Sequence, residues 1–267
     1  MIAVSNRDIR LAWRDLSEGV GAWNIWHILA MQELRQRYRR SVLGPMWISV
    51  SLAVQVAVMG VLVGTLFKQE FTKYLPYATL GIVLWNFMSQ SLIEGANCFV
   101  GASVYVMQAK RPLFAFVVHV LWRNLIYLAH TVVIYVIVAL IFGVPLTLAT
   151  PLALPALLLL VVNMAWILLF VGVLAARFRD VHMMLQSSMT VLFWLTPIVF
   201  YPEMLGNHRW IIDLNPLAYL LDVVRRPILG EAPAALTWVV VCGMAVLGWT
   251  GAFLFFSRFR ARVPYWL

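Results

Sequence analysis

The sequence predicts an all-α integral membrane protein with six transmembrane helices, an N-terminal amphipathic interfacial helix and a short outer-leaflet helical segment. Two observations predict this class. Hydrophobic residues make up 63% of the 267 residues and charged residues only 12%, whereas about a quarter of an ordinary soluble domain is charged. Several stretches of about 20 residues, the length that crosses a bilayer, also lack Asp, Glu, Lys and Arg. A soluble enzyme is therefore excluded.

The first predicted element is a helix that lies on the membrane without crossing it. In residues 23–43, Trp23, His27 and Leu34 fall on one side of a helical wheel, while Arg35 and Arg39 fall on the other. This pattern is typical of a helix in the interface with its aromatic residues at headgroup level. The Gly-Pro pair that follows predicts a turn into the membrane.

The six-span body is predicted over residues 45–257. The apolar stretch 124–176 is too long for one crossing, and Gly143, Pro145 and Pro151 mark a turn within it. The charge-free stretches therefore give these six spans: Pro45–Phe67, Tyr74–Ile93, Leu125–Phe142, Pro151–Ala176, Val181–Pro202 and Ala232–Ser257.

The distribution of basic residues predicts the orientation. Most Lys and Arg residues fall in residues 1–44, in the second and fourth inter-span segments and in the C-terminal tail. The positive-inside rule places these parts, and both termini, in the cytoplasm. Asp8, Asp15 and Glu18 interrupt any apolar region that a secretory signal would need.

Two segments between the spans are predicted to be helical without crossing. Residues 99–123 are interpreted as a helical turn and an interfacial entry, because Arg123 is costly in mid-bilayer. On the outer side, Leu217, Leu220, Leu221 and Val224 form an apolar stripe after Asn215-Pro216. This stripe predicts a short helix that rests on the outer leaflet or dips into it.

Catalytic motifs are absent from the sequence. It contains no Gly-Lys pair, and hence no phosphate-binding P-loop, and no metal-ligand motif stands within a span. His119 and His130 are eleven residues apart on one predicted helix face, which leaves open an intramembrane glycosyl- or acyltransferase. A structural membrane scaffold is a further alternative. We expect structural histidines, because no carboxylate accompanies them.

Ordered motifs over about residues 24–230 resemble permeases of type-2 ATP-binding-cassette (ABC) exporters, in the polysaccharide branch. They are Arg37–Trp47, Tyr74–Tyr77, Gly81–Asn86 with Glu94-Gly95, Trp122–Ile126 with His130, Ala176–Val181, Leu195–Ile198, Asp213–Pro216 and Arg225. The pattern is most similar to O-antigen exporters and less similar to capsule or teichoic-acid exporters. A drug or lipid exporter remains an alternative.

The resemblance implies a single permease domain over residues 1–267 that forms a homodimer with two cytoplasmic ATPase subunits in the bacterial inner membrane. It implies no cofactor on this chain, since ATP and Mg belong to the partner ATPase. The implied substrate is polysaccharide on undecaprenyl pyrophosphate, exported from cytoplasm to periplasm. Membrane lipids and the lipid-linked polymer are the other partners; the basic net charge is explained by orientation and anionic lipids, and nucleic acid is not expected.

Three sets of residues are candidates for function, and no metal or catalytic site is among them. The predicted pyrophosphate entrance consists of Arg35, Arg37, Arg39 and Arg40, because Arg offers forked donors to phosphate. The predicted ATPase-coupling residues are Lys110, Arg111, Arg177, Arg179 and Asp180. Sugar faces stack on aromatic rings, which predicts a substrate channel lined by Tyr74, Tyr77, Trp85, Asn86, Phe87, Phe193, Trp194, Phe200 and Tyr201.

Overall fold

The computed structural model describes residues 5–39, 41, 44, 46–66, 70–108 and 111–267, and these residues contain helices but no strand. The α-helices are α1 (Asn6–Gly21), α2 (Trp23–Tyr38), α3 (Met46–Leu66), α4 (Phe71–Ala96), α5 (Ser103–Gln108), α6 (Phe114–Phe142), α7 (Ala153–Arg177), α8 (Asp180–Leu195), α9 (Trp210–Asp213), α10 (Pro216–Ile228), α11 (Ala235–Phe259) and α12 (Val263–Trp266). Short 3₁₀ turns occupy Thr150–Leu152, Pro202–His208 and Arg260–Arg262. The all-α class is confirmed.

Three helical segments of the described chain are long and apolar enough to cross a membrane: Phe114–Phe142, Thr150–Arg177 and Ala235–Trp266. They contain the predicted third and fourth spans and all but the first three residues of the predicted sixth. Helix α3 occupies the predicted first span, and α4 contains the predicted second. A membrane protein is thus established, while the count of six crossings remains a prediction.

Helix α4 lies at the centre of the body and packs against α3, α6, α7, α8 and α10. Glycine allows its close approach to α7, because a Cβ atom at Gly95 would lie 2.5 Å from the Leu168 side chain. Small residues at such crossings let helix backbones come together, which is how membrane helices gain packing energy.

Helix α6 differs from the sequence-based prediction. The predicted third span begins at Leu125 after an interfacial entry, whereas α6 is one continuous helix from Phe114. The reason is that Arg123 is ion-paired with Glu33 of α2 and Glu94 of α4. Pairing offsets part of the cost of burying a guanidinium, so the helix does not need to break before it.

Helix α8 is shorter than the predicted fifth span, Val181–Pro202. It ends at Leu195, because Thr196 precedes a proline and adopts an extended conformation (φ −103°, ψ 137°). Residues 196–201 then run without helical structure. With 1.5 Å per residue, the 16 residues of α8 span about 24 Å.

The predicted outer helix exists as α10, but its surroundings differ from the prediction. Asn215 caps it, accepting a hydrogen bond from the Leu217 backbone N–H. The predicted apolar stripe is buried against α4, α7 and α11 instead of lying on lipid. The segment is therefore part of the packed body.

The N-terminal helices hold the N-terminal end of α6. Helix α2 is the predicted interfacial helix, although it ends at Tyr38, and its His27 accepts a hydrogen bond from Trp122 of α6. Helix α1 was not predicted. Its buried Asp15 accepts from the Phe114 backbone N–H at 3.0 Å and from Arg260 at 2.6 Å.

Candidate functional site

The predicted entrance arginines lie at the end of α2. Arg35 and Arg39 are exposed, whereas Arg37 reaches across to α6 and donates a hydrogen bond to the Tyr127 hydroxyl at 2.7 Å. Arg40 lies outside the described residues. Of the described entrance arginines, Arg37 alone borders a cavity in the interior of the body, so the three do not share one environment.

A cavity of about 250 Å³ opens beside Arg37, between α3, α4 and α6. We call it the inner cavity. Nine of its thirteen lining residues are polar: Arg37, Ser51, Gln55, Asn86, Gln90, Glu94, Asn124, Tyr127 and Thr131, with Ile48, Leu52, Phe87 and Leu128 as the others. The structure thus brings together Arg37 from the predicted entrance and Asn86 and Phe87 from the predicted channel. The sequence did not connect these two sets.

An ion cluster adjoins the inner cavity through Glu94, which lines it. Arg123 of α6 joins Glu94 of α4, with 2.8 Å between guanidinium and carboxylate, and also joins Glu33 of α2. Asn124 donates a further hydrogen bond to Glu94 at 2.7 Å. Three helices are thereby tied together by one buried guanidinium. Glu33 was missed by sequence reasoning, because it looks like an ordinary charge on an exposed helix face.

The two histidines do not form a relay. The His130 Nδ1 atom lies 2.8 Å from the Ile126 carbonyl of its own helix, as in a structural histidine. His119 lies 3.5 Å from Glu33, which is already paired with Arg123. The arrangement offers no base beside an activated nucleophile, so the transferase alternative gains no support.

On the opposite side of the body, tyrosines of α4 hold the non-helical segment 196–201. The Tyr74 hydroxyl donates to the Val199 carbonyl at 2.8 Å, and the Tyr77 hydroxyl contacts the carbonyls of Pro197 and Phe200 at 3.2 and 3.1 Å. Both tyrosines are buried. Irregular backbone at membrane depth needs such partners for its carbonyl groups.

Arg225 of α10 completes this contact. It is only 1% exposed, donates to the Pro197 carbonyl at 2.6 Å and places its guanidinium 3.9 Å from the Tyr77 ring centroid. Asp222 lies 3.7 Å from it. The sequence identified Arg225 only as part of a motif, since nothing in the spacing indicates what a lone arginine contacts.

A second cavity, of about 660 Å³, lies beside Tyr77 and Tyr201, and we call it the outer cavity. The two tyrosine rings are 4.4 Å apart between centroids. Glu70 and Lys73 stand at its edge, and a hydrogen bond from Lys73 lowers the pKa of Glu70. Tyr77 therefore both bonds the backbone of segment 196–201 and lines the outer cavity.

The remaining channel candidates occupy different environments. Trp85 and Phe87 are buried, and Trp85 packs edge-on against Phe193 with 6.0 Å between ring centroids. Phe193 in turn contacts Trp194, which is 63% exposed. Phe200 lies half-buried in the segment after α8. Within the described protomer, Trp194 is thus the most accessible of the predicted tryptophan pair.

The predicted coupling residues lie at two turns. Lys110 is outside the described residues, and Arg111 borders a groove with Asp15 and Arg260. Arg177 stacks on Trp266 at 5.4 Å, and Arg179 donates to the Leu267 carbonyl at 3.4 Å. Asp180 begins α8 and forms no ion pair with any described residue. Both arginines therefore engage the C-terminal residues.

The fold and its interior define a class. Helices apolar enough to cross a membrane form the body, and one of them, α6, lines a cavity with polar residues and carries Arg123 of the ion cluster. Polar groups at membrane depth ordinarily mark the path of a substrate or ion. The sequence contains no nucleotide-binding loop. These features define the class as the membrane subunit of a transporter.

The chain belongs to the ABC-2 type transporter family, whose model matches residues 25–229. It is also similar to the O-antigen export system permease protein RfbA of Klebsiella pneumoniae. The two are 18% identical over 196 residues, which cover 73% of this chain and 76% of that protein. Family membership implies an ABC ATPase partner.

Proposed function

We propose that this protein is the transmembrane subunit of an exporter that moves undecaprenyl-pyrophosphate-linked O-antigen polysaccharide from the cytoplasm to the periplasm. Two copies form a homodimer of six-span permeases in the bacterial inner membrane, with both termini in the cytoplasm. Two copies of a cytoplasmic ABC ATPase bind this homodimer. The family match and the similarity to an O-antigen export permease support the transport class and the polysaccharide branch.

The observation that carries the proposal is the contact between Arg37 and Tyr127 at the mouth of the inner cavity. It places a cation from the basic helix α2 at the edge of a polar space within the body. A substrate with an anionic head and a polar polymer fits a cation that stands beside a cavity with polar side chains. A drug or an ordinary lipid would favour an apolar cavity.

The arginines of α2 attract the pyrophosphate in this proposal. Arg35 and Arg39 are exposed and approach the headgroup region, while Arg37 receives the diphosphate at the cavity mouth. Guanidinium groups offer paired donors to phosphate oxygens, which gives both charge and geometry.

The aromatic side chains act on the polymer at two places. Trp194 contacts the sugar faces, because it is exposed and adjoins Phe193. Tyr77 and Tyr201 form an outer aromatic contact beside the outer cavity. Trp85 is buried and packs against Phe193, so it positions Phe193 and does not touch the polymer itself.

The decisive experiment is co-purification of the chain with an ABC ATPase from the same cells, followed by transport in vesicles loaded with lipid-linked O-antigen. We expect a complex whose ATPase activity rises with this substrate, and surface polysaccharide in cells that carry both subunits. A complex that is stimulated by drugs or phospholipids but not by lipid-linked polysaccharide would contradict the proposal.

A further inference from the structure

The inner cavity contains three side-chain amides that face one another across two helices. Gln55 stands at the middle of α3, between Val54 and Val56. Asn86 and Gln90 are one helical turn apart on α4, so they share a face. All three border the inner cavity. Gln55 and Gln90 are exposed on the described protomer and Asn86 is half-buried, so a molecule in the cavity can reach all three amides.

The other polar groups of the cavity already have protein partners. Thr131 donates to the Leu128 carbonyl, and Asn124 donates to Glu94. Arg37 donates to Tyr127. In contrast, none of the described residues forms a hydrogen bond with the side-chain amides of Gln55, Asn86 and Gln90. The three amides are thus available to a bound molecule.

The charge of the cavity indicates which molecule fits. Its carboxylate, Glu94, is held by Arg123 and Asn124, and its guanidinium, Arg37, lies at the mouth. The interior therefore presents uncharged groups that both donate and accept hydrogen bonds. A diphosphate only accepts, and would meet amide oxygens and a carboxylate. Sugar hydroxyls both donate and accept, and about 250 Å³ is space for a single sugar ring.

We propose that the inner cavity binds one sugar residue of the polymer next to its lipid-pyrophosphate end, through Gln55, Asn86 and Gln90. The inference rests on the function proposed above and deepens it. Arg37 recognises the diphosphate at the mouth, and the amides recognise the adjoining sugar. The site thereby distinguishes a sugar-bearing carrier from undecaprenyl pyrophosphate alone.

The test compares two probes on the full chain, co-purified with its ATPase in nanodiscs: undecaprenyl pyrophosphate alone and undecaprenyl pyrophosphate carrying one N-acetylglucosamine. The test variant is the triple substitution Gln55→Met, Asn86→Leu and Gln90→Met. We expect its affinity for the sugar-bearing probe to fall about tenfold, because three hydrogen-bonding groups are lost. Its affinity for the bare carrier should be unchanged.

Two controls keep the outcome clear. Gln186→Met changes an exposed amide of α8 outside the cavity, and it should leave both affinities unchanged. Gln90→Met alone alters an exposed side chain, and should weaken only the sugar-bearing probe even if the triple variant misfolds. An equal loss for both probes, or no loss for either, would overturn the sugar site. Wild-type protein that binds neither probe would instead contradict the proposed function.

Discussion

The guanidinium of Arg225 stacks on the ring of Tyr77, with 3.9 Å between its central carbon and the ring centroid. The same guanidinium and the Tyr77 hydroxyl both bond the Pro197 carbonyl. One carbonyl of the non-helical segment 196–201 is therefore bonded by side chains from two helices. The contact joins α4, α10 and the segment that follows α8.

Replacement of Arg225 by Lys should lower the free energy of unfolding by about 2 kcal/mol, because an ammonium loses the planar stack and the hydrogen bond. Tyr77→Phe should cost less, since the ring beneath the guanidinium remains. Thermal unfolding in detergent would measure both changes. Equal losses in the two variants would mean that the hydroxyl, and not the stack, holds the segment.

Arg123 links two carboxylates, so its removal should be worse than removal of the whole cluster. Arg123→Met should destabilise the protein by about 2–3 kcal/mol, because the partly buried Glu94 is left without its cation, while Glu33 is partly open to solvent. Adding Glu33→Gln and Glu94→Gln should restore most of that loss. Thermal unfolding of the single and triple variants checks this, and a triple variant that is less stable than Arg123→Met would refute it.

Reversal of charge at Arg177 and Arg179 to Glu should reduce ATPase binding and export while leaving membrane insertion intact. Both side chains are exposed at the predicted cytoplasmic turn. Pull-down with the ATPase and a membrane-fraction assay measure the two properties. Arg209→Glu, on the predicted outer side, is the matched control and should leave ATPase binding unchanged. Normal pull-down with the double variant would remove this turn from the coupling surface.

Lysine at Arg35, Arg37, Arg39 and Arg40 should reduce export several-fold, because lysine keeps the charge and loses the paired donors. Membrane association should not change, since anchoring needs only the charge. Export of labelled polysaccharide, normalised to protein in the membrane, provides the measurement. Full export by this variant would mean that the four arginines only anchor the helix to the membrane and do not recognise the pyrophosphate.

The two tryptophans should respond differently to alanine. Trp85 is buried against Phe193, so Trp85→Ala should cost about 3–5 kcal/mol of stability. Trp194 is exposed, so Trp194→Ala should retain stability and ATPase assembly while slowing export. Thermal unfolding and vesicle transport separate these effects. Export at the wild-type rate by Trp194→Ala would contradict the proposed contact between Trp194 and the sugar faces.

The apolar stretches predicted the long helices correctly, because hydropathy and length alone limit what crosses a bilayer. The predicted bounds of the third and fifth spans differ from those of α6 and α8, because both helices also depend on residues distant in the sequence. Arg123 continues its helix because Glu33 and Glu94 reach it. The Thr196-Pro197 pair ends α8 locally, and the extended segment after it is held because Tyr74, Tyr77 and Arg225 bond its carbonyls. Spacing along one helix carries no record of these distant partners.

The same distinction applies to the candidate site. Arg37, Asn86 and Phe87 were named from charge and aromatic pattern, and they do share a cavity. The sequence offered no means to add Gln55 and Gln90 to them, since an amide in an apolar helix faces lipid, protein or a cavity only according to its neighbours. Burial of Tyr74 and Tyr77 likewise follows from the packing of three helices.

The tie made by Asp15 has a consequence for chimeric exporters. Asp15 and Arg260 both lie outside residues 25–229, yet each needs the other, and Asp15 also caps helix α6 within that range. A graft that exchanges only the matched region between relatives would set a foreign helix end against this carboxylate. A graft that takes one flank would leave a fully buried charge without its cation. Viable hybrids of this chain must therefore inherit its two ends as a pair.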